Sequence, residues 1–229
     1  MPSIVDLSRI QLIPVIELEP MAFSTRFHSM LTEANNKDPD ELDHCWRVSL
    51  ADSGVSGINP MFPGSWLVCT SDVTSTKLAN ILRVIIDKRG GVSSLNNPRL
   101  KSVLSGGLAL ISDEQGILIE PTCCGDLGDI VNWKEAASYE GEEWKMLWIG
   151  HPWVSMKFQR PWLLLSDFHE SSEPVERWAV MPHELMQAVN VAEAELIRFS
   201  KQIVPILLAW DYQGDAVDMS LRLVGLGTE

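Results

Sequence analysis

The sequence predicts an α+β fold with a largely antiparallel mixed sheet. The sheet is expected mainly from the central third, packed by helices from the N-terminal third and by a long C-terminal helix at about 182–203. Three observations carry that expectation. Short apolar runs separated by turn residues bunch between Gly106 and Met181, and apolar residues at helical spacing come before and after them. The regular strand–helix alternation of a doubly wound fold is missing.

In chain order, IQLIPVIEL (10–18) reads as a strand, and Pro14 suggests an edge position or a bulge. Phe23, Phe27, Met30 and Leu31 step as a helix over Met21 to Ala34. Asp38-Pro39-Asp40-Glu41 has the cap, proline and acids of a helix start, although Trp46, Val48 and Leu50 alternate like a strand. SGVSGINPMFPG (53–64) is a loop. It could separate a pair of domains, but a strand at Ser65–Thr70 resumes directly and no polar linker follows, so one domain spanning 1–229 is the simpler reading. Ser75–Arg89 is a helix stopped at Gly90, and 90–105 is a loop or short helix.

Leu108–Ile111 and Ile117–Ile119 flank Ser-Asp-Glu-Gln-Gly, which predicts a hairpin with a bulge closed by Gly116. A loop, Thr122–Gly128, follows Pro121, and Asp129–Ala137 is a short helix burying Ile130 and Trp133. Glu143–Ile149 and Pro152–Phe158 are expected as strands turned at Gly150–Pro152. Trp162–Leu165 suits a central strand and Arg177–Met181 a last one. In the long helix Leu185, Val189, Ala192, Leu196, Phe199 and Ile203 line one face, and Pro205 is expected to end or kink it. The tail beyond Gln213 alternates weakly at Met219, Leu221 and Leu223, as an edge strand would.

Composition bounds the function. The 229 residues carry a formal charge of −13, with 45% apolar and 21% charged residues, so the chain is long enough for a substantial core. Its negative field repels phosphate backbones and anionic lipid, which disfavours nucleic acid and membranes and favours a basic protein partner. No apolar run approaches a bilayer span, and the start lacks a signal peptide pattern, so the expected location is cytoplasmic. The four cysteines are too few for a disulfide scaffold and are expected as reduced thiols.

The candidate chemistry centres on Cys123-Cys124-Gly125-Asp126. One reading makes Cys124 a nucleophile with His151 as base and Asp126 or Asp129 orienting it, for a thiol-dependent hydrolase or acyl transferase. The competing reading packs one cysteine inward and makes Asp126 a helix cap. A metal site drawn from Cys123, Cys124, His151 and His169 lacks zinc-knuckle spacing, so no metal or cofactor is expected. His183-Glu184 does not extend to a zinc-protease motif, because position 187 is Gln, and the glycine-rich nucleotide fingerprints are absent. Nine tryptophans against two tyrosines leave a choice between core filling and a binding surface, with Trp144, Trp148 and Trp153 as anchors beside Cys123 and Asp129. Together these features predict a non-enzymatic acidic interaction protein that neutralises or regulates a basic partner, in the manner of an immunity protein. The alternatives are the thiol enzyme and a small-molecule sensor with a Trp-lined pocket. Oligomeric state is left open.

Overall fold

The computed structural model describes residues 5–7, 9–25, 38–97 and 104–227. In chain order the elements are β1 (Val5–Asp6), β2 (Ile10–Glu17), α1 (Pro20–Phe23), α2 (Pro39–Asp52), β3 (Leu67–Cys69), α3 (Ser75–Lys88), β4 (Gly106–Ser112) and β5 (Gly116–Ile119). They continue with α4 (Ile130–Ala137), β6 (Lys145–Leu147), β7 (Val154–Gln159), β8 (Trp162–Ser166), β9 (Glu176–Val180), α5 (Pro182–Ala209) and α6 (Ala216–Leu223). The fold is α+β. The chain divides into two compact units, one from the described residues of Met1–Val15 and Leu104–Leu196, the other from those of Ile16–Val103 and Ile197–Glu229.

The first unit holds a five-stranded sheet in the order β1-β9-β8-β7-β6. All its pairings are antiparallel except β1 with β9, where Val5 lies opposite Trp178. Strand β8 sits at the centre, and its run WLLLS is buried from Leu163 to Ser166, as a strand flanked and covered on both faces requires. The expected hairpin forms β4 and β5, with an irregularity between Leu110 and Ile111 and Gly116 at φ +75°. Strand β2 neighbours β4 in this unit. Helix α4 buries Ile130, Trp133 and Ala136 completely. Leu185, Val189, Ala192 and Leu196 of α5 are likewise fully buried, as their spacing along one face demands.

In the second unit, α2 starts at an Asp38 cap whose side chain accepts from Asp40 N, and it continues as helix to Asp52, which settles the helix-or-strand ambiguity. Trp46, 1% exposed, donates its indole N–H to Leu18 O at 2.8 Å. Helix α3 buries Leu78, Ile81, Leu82 and Ile86, and a 3-10 turn spans Val92–Asn96.

Four expectations are corrected or limited. Pro14 neither ends nor breaks its strand, because β2 runs without interruption from Ile10 to Glu17 and has β4 as a neighbour. Pro205 does not end the long helix, which runs to Ala209. Burial of Ile203, Ile206 and Leu207 on one stripe outweighs the ~3 kcal/mol that an interior proline costs. The tail is not a strand but α6, started by Asp215, whose carboxylate accepts from Val217 N and Asp218 N. Of the helix expected over Met21 to Ala34, the first residues form α1, which ends at Ser24 in extended backbone. Residues 26–37, like 98–103, lie outside the described residues.

Candidate functional site

The cysteine loop is fixed by backbone contacts. After β5 and Pro121, Thr122 N donates to Ile149 O at 3.1 Å, and Gly125 N closes a four-residue turn onto Thr122 O at 3.0 Å. Cys123 and Cys124 are the two central residues of that turn. Cys124 takes φ +69°, the left-handed conformation demanded at the third position of some β-turns and uncommon for a residue with a Cβ. Two glycines allow the neighbouring strands to come this close. A Cβ on Gly125 would lie 2.7 Å from Gly106 O, and one on Gly150 would lie 2.5 Å from Thr122 O.

The loop is thereby laid against the segment before β7. Cys123 and His151 form an antiparallel bridge, with His151 N donating to Cys123 O at 2.7 Å. A second bridge joins Trp153 to His169, just beyond the other end of the β7–β8 hairpin. Four rings gather around these bridges. Trp148 stacks on Trp153 with centroids 6.3 Å apart, and Trp153 meets His151 at 5.2 Å and His169 edge-on at 6.0 Å. Both tryptophans are partly exposed. His151 Nδ1 lies 3.3 Å from the Glu170 carboxylate. His169 Nε2 is 2.9 Å from Ser155 Oγ, while its Nδ1 is buried without a partner among the described residues.

Beneath the loop, Asp126 and Asp129 form a capping box around the 3-10 turn Leu127–Asp129. The Asp126 carboxylate accepts from Gly128 N at 2.7 Å, and the Asp129 carboxylate accepts from Asp126 N at 3.1 Å. Asp129 also accepts from the Asn132 amide, which donates in turn to Trp148 O at 3.0 Å. A hydrogen-bonded chain therefore runs from the capping box to the backbone carbonyl of Trp148. Burial pushes the Asp129 carboxyl up to about 7, against the two hydrogen bonds it accepts.

The expected residues are thus sorted. Cys123, His151, Trp148 and Trp153 come together. Cys124 sits beside them, and both neighbouring thiols are exposed, so the expectation that one packs inward fails. Cys124 stands at the left-handed corner of the turn, and Cys123, although its carbonyl is tied to His151 N, likewise leaves its side chain exposed. Asp126 is a helix cap, and the carboxylate facing His151 is Glu170, a residue that sequence reasoning misses together with Ser155. Asp129 lies 6% exposed under the loop rather than on a face. Trp144 takes a separate partner, Lys157 Nζ, 4.7 Å from its ring centroid. Unshifted, the β7–β8 register would set Trp153 opposite Phe168; a one-residue shift beyond the strands sets it opposite His169 instead, with Glu170 next in the chain. Among the described residues, no group of three His, Cys, Asp or Glu is placed to hold a metal ion. No helix there is long and apolar enough to cross a membrane.

Comparison with family models, with curated proteins and with solved structures finds no match to this chain.

Proposed function

We propose that this chain is a non-enzymatic, acidic interaction protein of the cytoplasm that docks a basic protein partner and neutralises or regulates it. The observation that supports this reading is the partly exposed Trp148–Trp153 stack, with His151 and Glu170 at its border. Partly buried tryptophans held rigid by neighbours are the side chains that anchor interfaces, because they offer large area at little cost in rotamer entropy. The charge of −13 supplies the long-range attraction for a cationic partner. Asp129 serves this face indirectly, through Asn132 and the Trp148 carbonyl.

The test is recovery of a partner from the native host on immobilised protein. A basic protein released by raised salt, with recovery reduced about tenfold by Trp148→Ala with Trp153→Ala, supports the proposal. Equal recovery on wild type and the double variant counts against it.

A second reading, a thiol-dependent hydrolase or acyl transferase, draws on the Cys123–His151 bridge and the exposed Cys124. The required orienting carboxylate would be Glu170 rather than Asp126, which caps the turn. Iodoacetamide separates the readings: labelling of Cys123 or Cys124 much faster than free cysteine at neutral pH favours the enzyme, and labelling no faster favours the binding protein.

A further inference from the structure

The two central residues of the Thr122–Gly125 turn hold their sulfurs 3.4 Å apart, and both side chains face solvent. Neither thiol is in a disulfide. We propose that Cys123 and Cys124 form a bidentate dithiol site for a trivalent thiophilic centre, the chemical class of arsenous acid and mono-substituted arsenicals.

Thiolates select soft centres, and geometry chooses among these. Tetrahedral zinc, with bonds of ~2.3 Å, spreads its sulfurs to ~3.8 Å and asks for further protein ligands. Such a set is not assembled among the described residues. Linear monovalent copper needs the sulfurs further apart still. A disulfide needs them at ~2.0 Å, inside an eight-membered ring that strains the intervening peptide. Pyramidal trivalent arsenic, with bond angles not far from a right angle, holds two sulfurs near van der Waals contact. That is the separation the turn already sets. Its third position is filled by hydroxyl or carbon, so two protein ligands suffice.

The step balances without a co-reactant. Each sulfur forms a bond to arsenic as an arsenic–hydroxyl bond breaks, and each thiol proton leaves with that hydroxide as water. Arsenic stays trivalent and nothing is oxidised. Because the turn is tied to Ile149 and His151 by backbone hydrogen bonds, the pair is ordered before it binds, which reduces the entropy lost on chelation. The other two thiols compete poorly. Cys45 is buried, and burial pushes the Cys69 thiol up, with the Asp72 carboxylate adding to the rise.

The test uses the reduced, desalted full-length chain and phenylarsine oxide, read by intact mass and peptide mapping. The expected result is one phenylarsenic group per chain on Cys123 and Cys124, resistant to excess glutathione and released by dithiothreitol. Cys123→Ser and Cys124→Ser each lose the glutathione-resistant adduct, and Cys45→Ser with Cys69→Ser keeps it. Wild type alkylated at the exposed thiols beforehand also loses it, a control independent of any variant's folding. An adduct that glutathione strips from wild type, that maps to Cys45 or Cys69, that survives either single serine variant, or that never forms overturns the proposal.

Discussion

Replacing Asp129 by Asn tests whether the corner beneath the cysteine loop is built on a buried carboxylate. Burial is the largest influence on this group and pushes its carboxyl from 3.8 up to about 7; the hydrogen bond from Asp126 N opposes the rise, the nearby Asp126 charge adds to it, and the Asn132 amide opposes it. A carboxyl raised in this way keeps its proton in the folded state to a higher pH than in the unfolded chain. The folded state then binds more protons between the two values, and stability falls as pH rises through that window. Below the window Asp and Asn are near equals in charge, and above it the wild type buries a charge that Asn lacks. Each pH unit is worth at most ~1.4 kcal/mol. The isoelectric point of about 4.8 discourages work far into the acid side of the window. From about pH 5.5 to 7, ~1.5 units remain, which gives ~2 kcal/mol. The variant also carries a fixed penalty of ~1–3 kcal/mol, because one amide oxygen replaces two acceptors and either Asp126 N or the Asn132 amide loses its partner. That penalty does not change with pH, so the slope of the difference is diagnostic and its absolute value is not. Urea unfolding followed by tryptophan fluorescence at about pH 5.5 and about pH 8 should show Asp129→Asn gaining ~2 kcal/mol on wild type between the two. A difference constant within ~0.5 kcal/mol refutes the buried-charge reasoning.

Other substitutions probe the framework. Gly150→Ala places a Cβ 2.5 Å from both Thr122 O and Thr122 Oγ1 at φ +113°. It should cost ~3 kcal/mol or more in thermal unfolding and change the near-ultraviolet circular dichroism of the Trp148–Trp153 group. Trp46→Phe removes the donor to Leu18 O in a buried site, an expected loss of ~1–3 kcal/mol by urea titration. Asp215→Ala takes the cap from α6, where two backbone N–H groups meet one carboxylate; a loss of ~1 kcal/mol with reduced helical circular dichroism is expected.

Local patterns reveal much of the fold, because the features concerned are decided within a few residues. The Ser-Asp-Glu-Gln-Gly turn, the WLLL strand and the Leu185–Ile203 stripe each carry their own instruction. Pro205 misleads because its local preference to break a helix is overruled by burial of Ile206 and Leu207. The tail misleads because Met219, Leu221 and Leu223 fit a period of two. Ala216, Met219, Ser220 and Leu223, the residues buried, fit the helical one. The site is visible in the sequence only as a neighbourhood. Cys123 and His151 meet because Gly125 and Gly150 let backbones touch, and Glu170 follows the isolated Trp153–His169 bridge beyond the β7–β8 hairpin. Those are long-range pairings that no window of sequence displays.

The proposed docking is tested most directly by oxidative footprinting of the tryptophans in a purified complex with a partner recovered from the host. Trp148 and Trp153, both partly open in the chain alone, should lose most of their reactivity on complex formation, while Trp66 and Trp210 keep theirs. Undiminished oxidation of Trp148 and Trp153 in a saturated complex would contradict the assignment of this corner as the docking face.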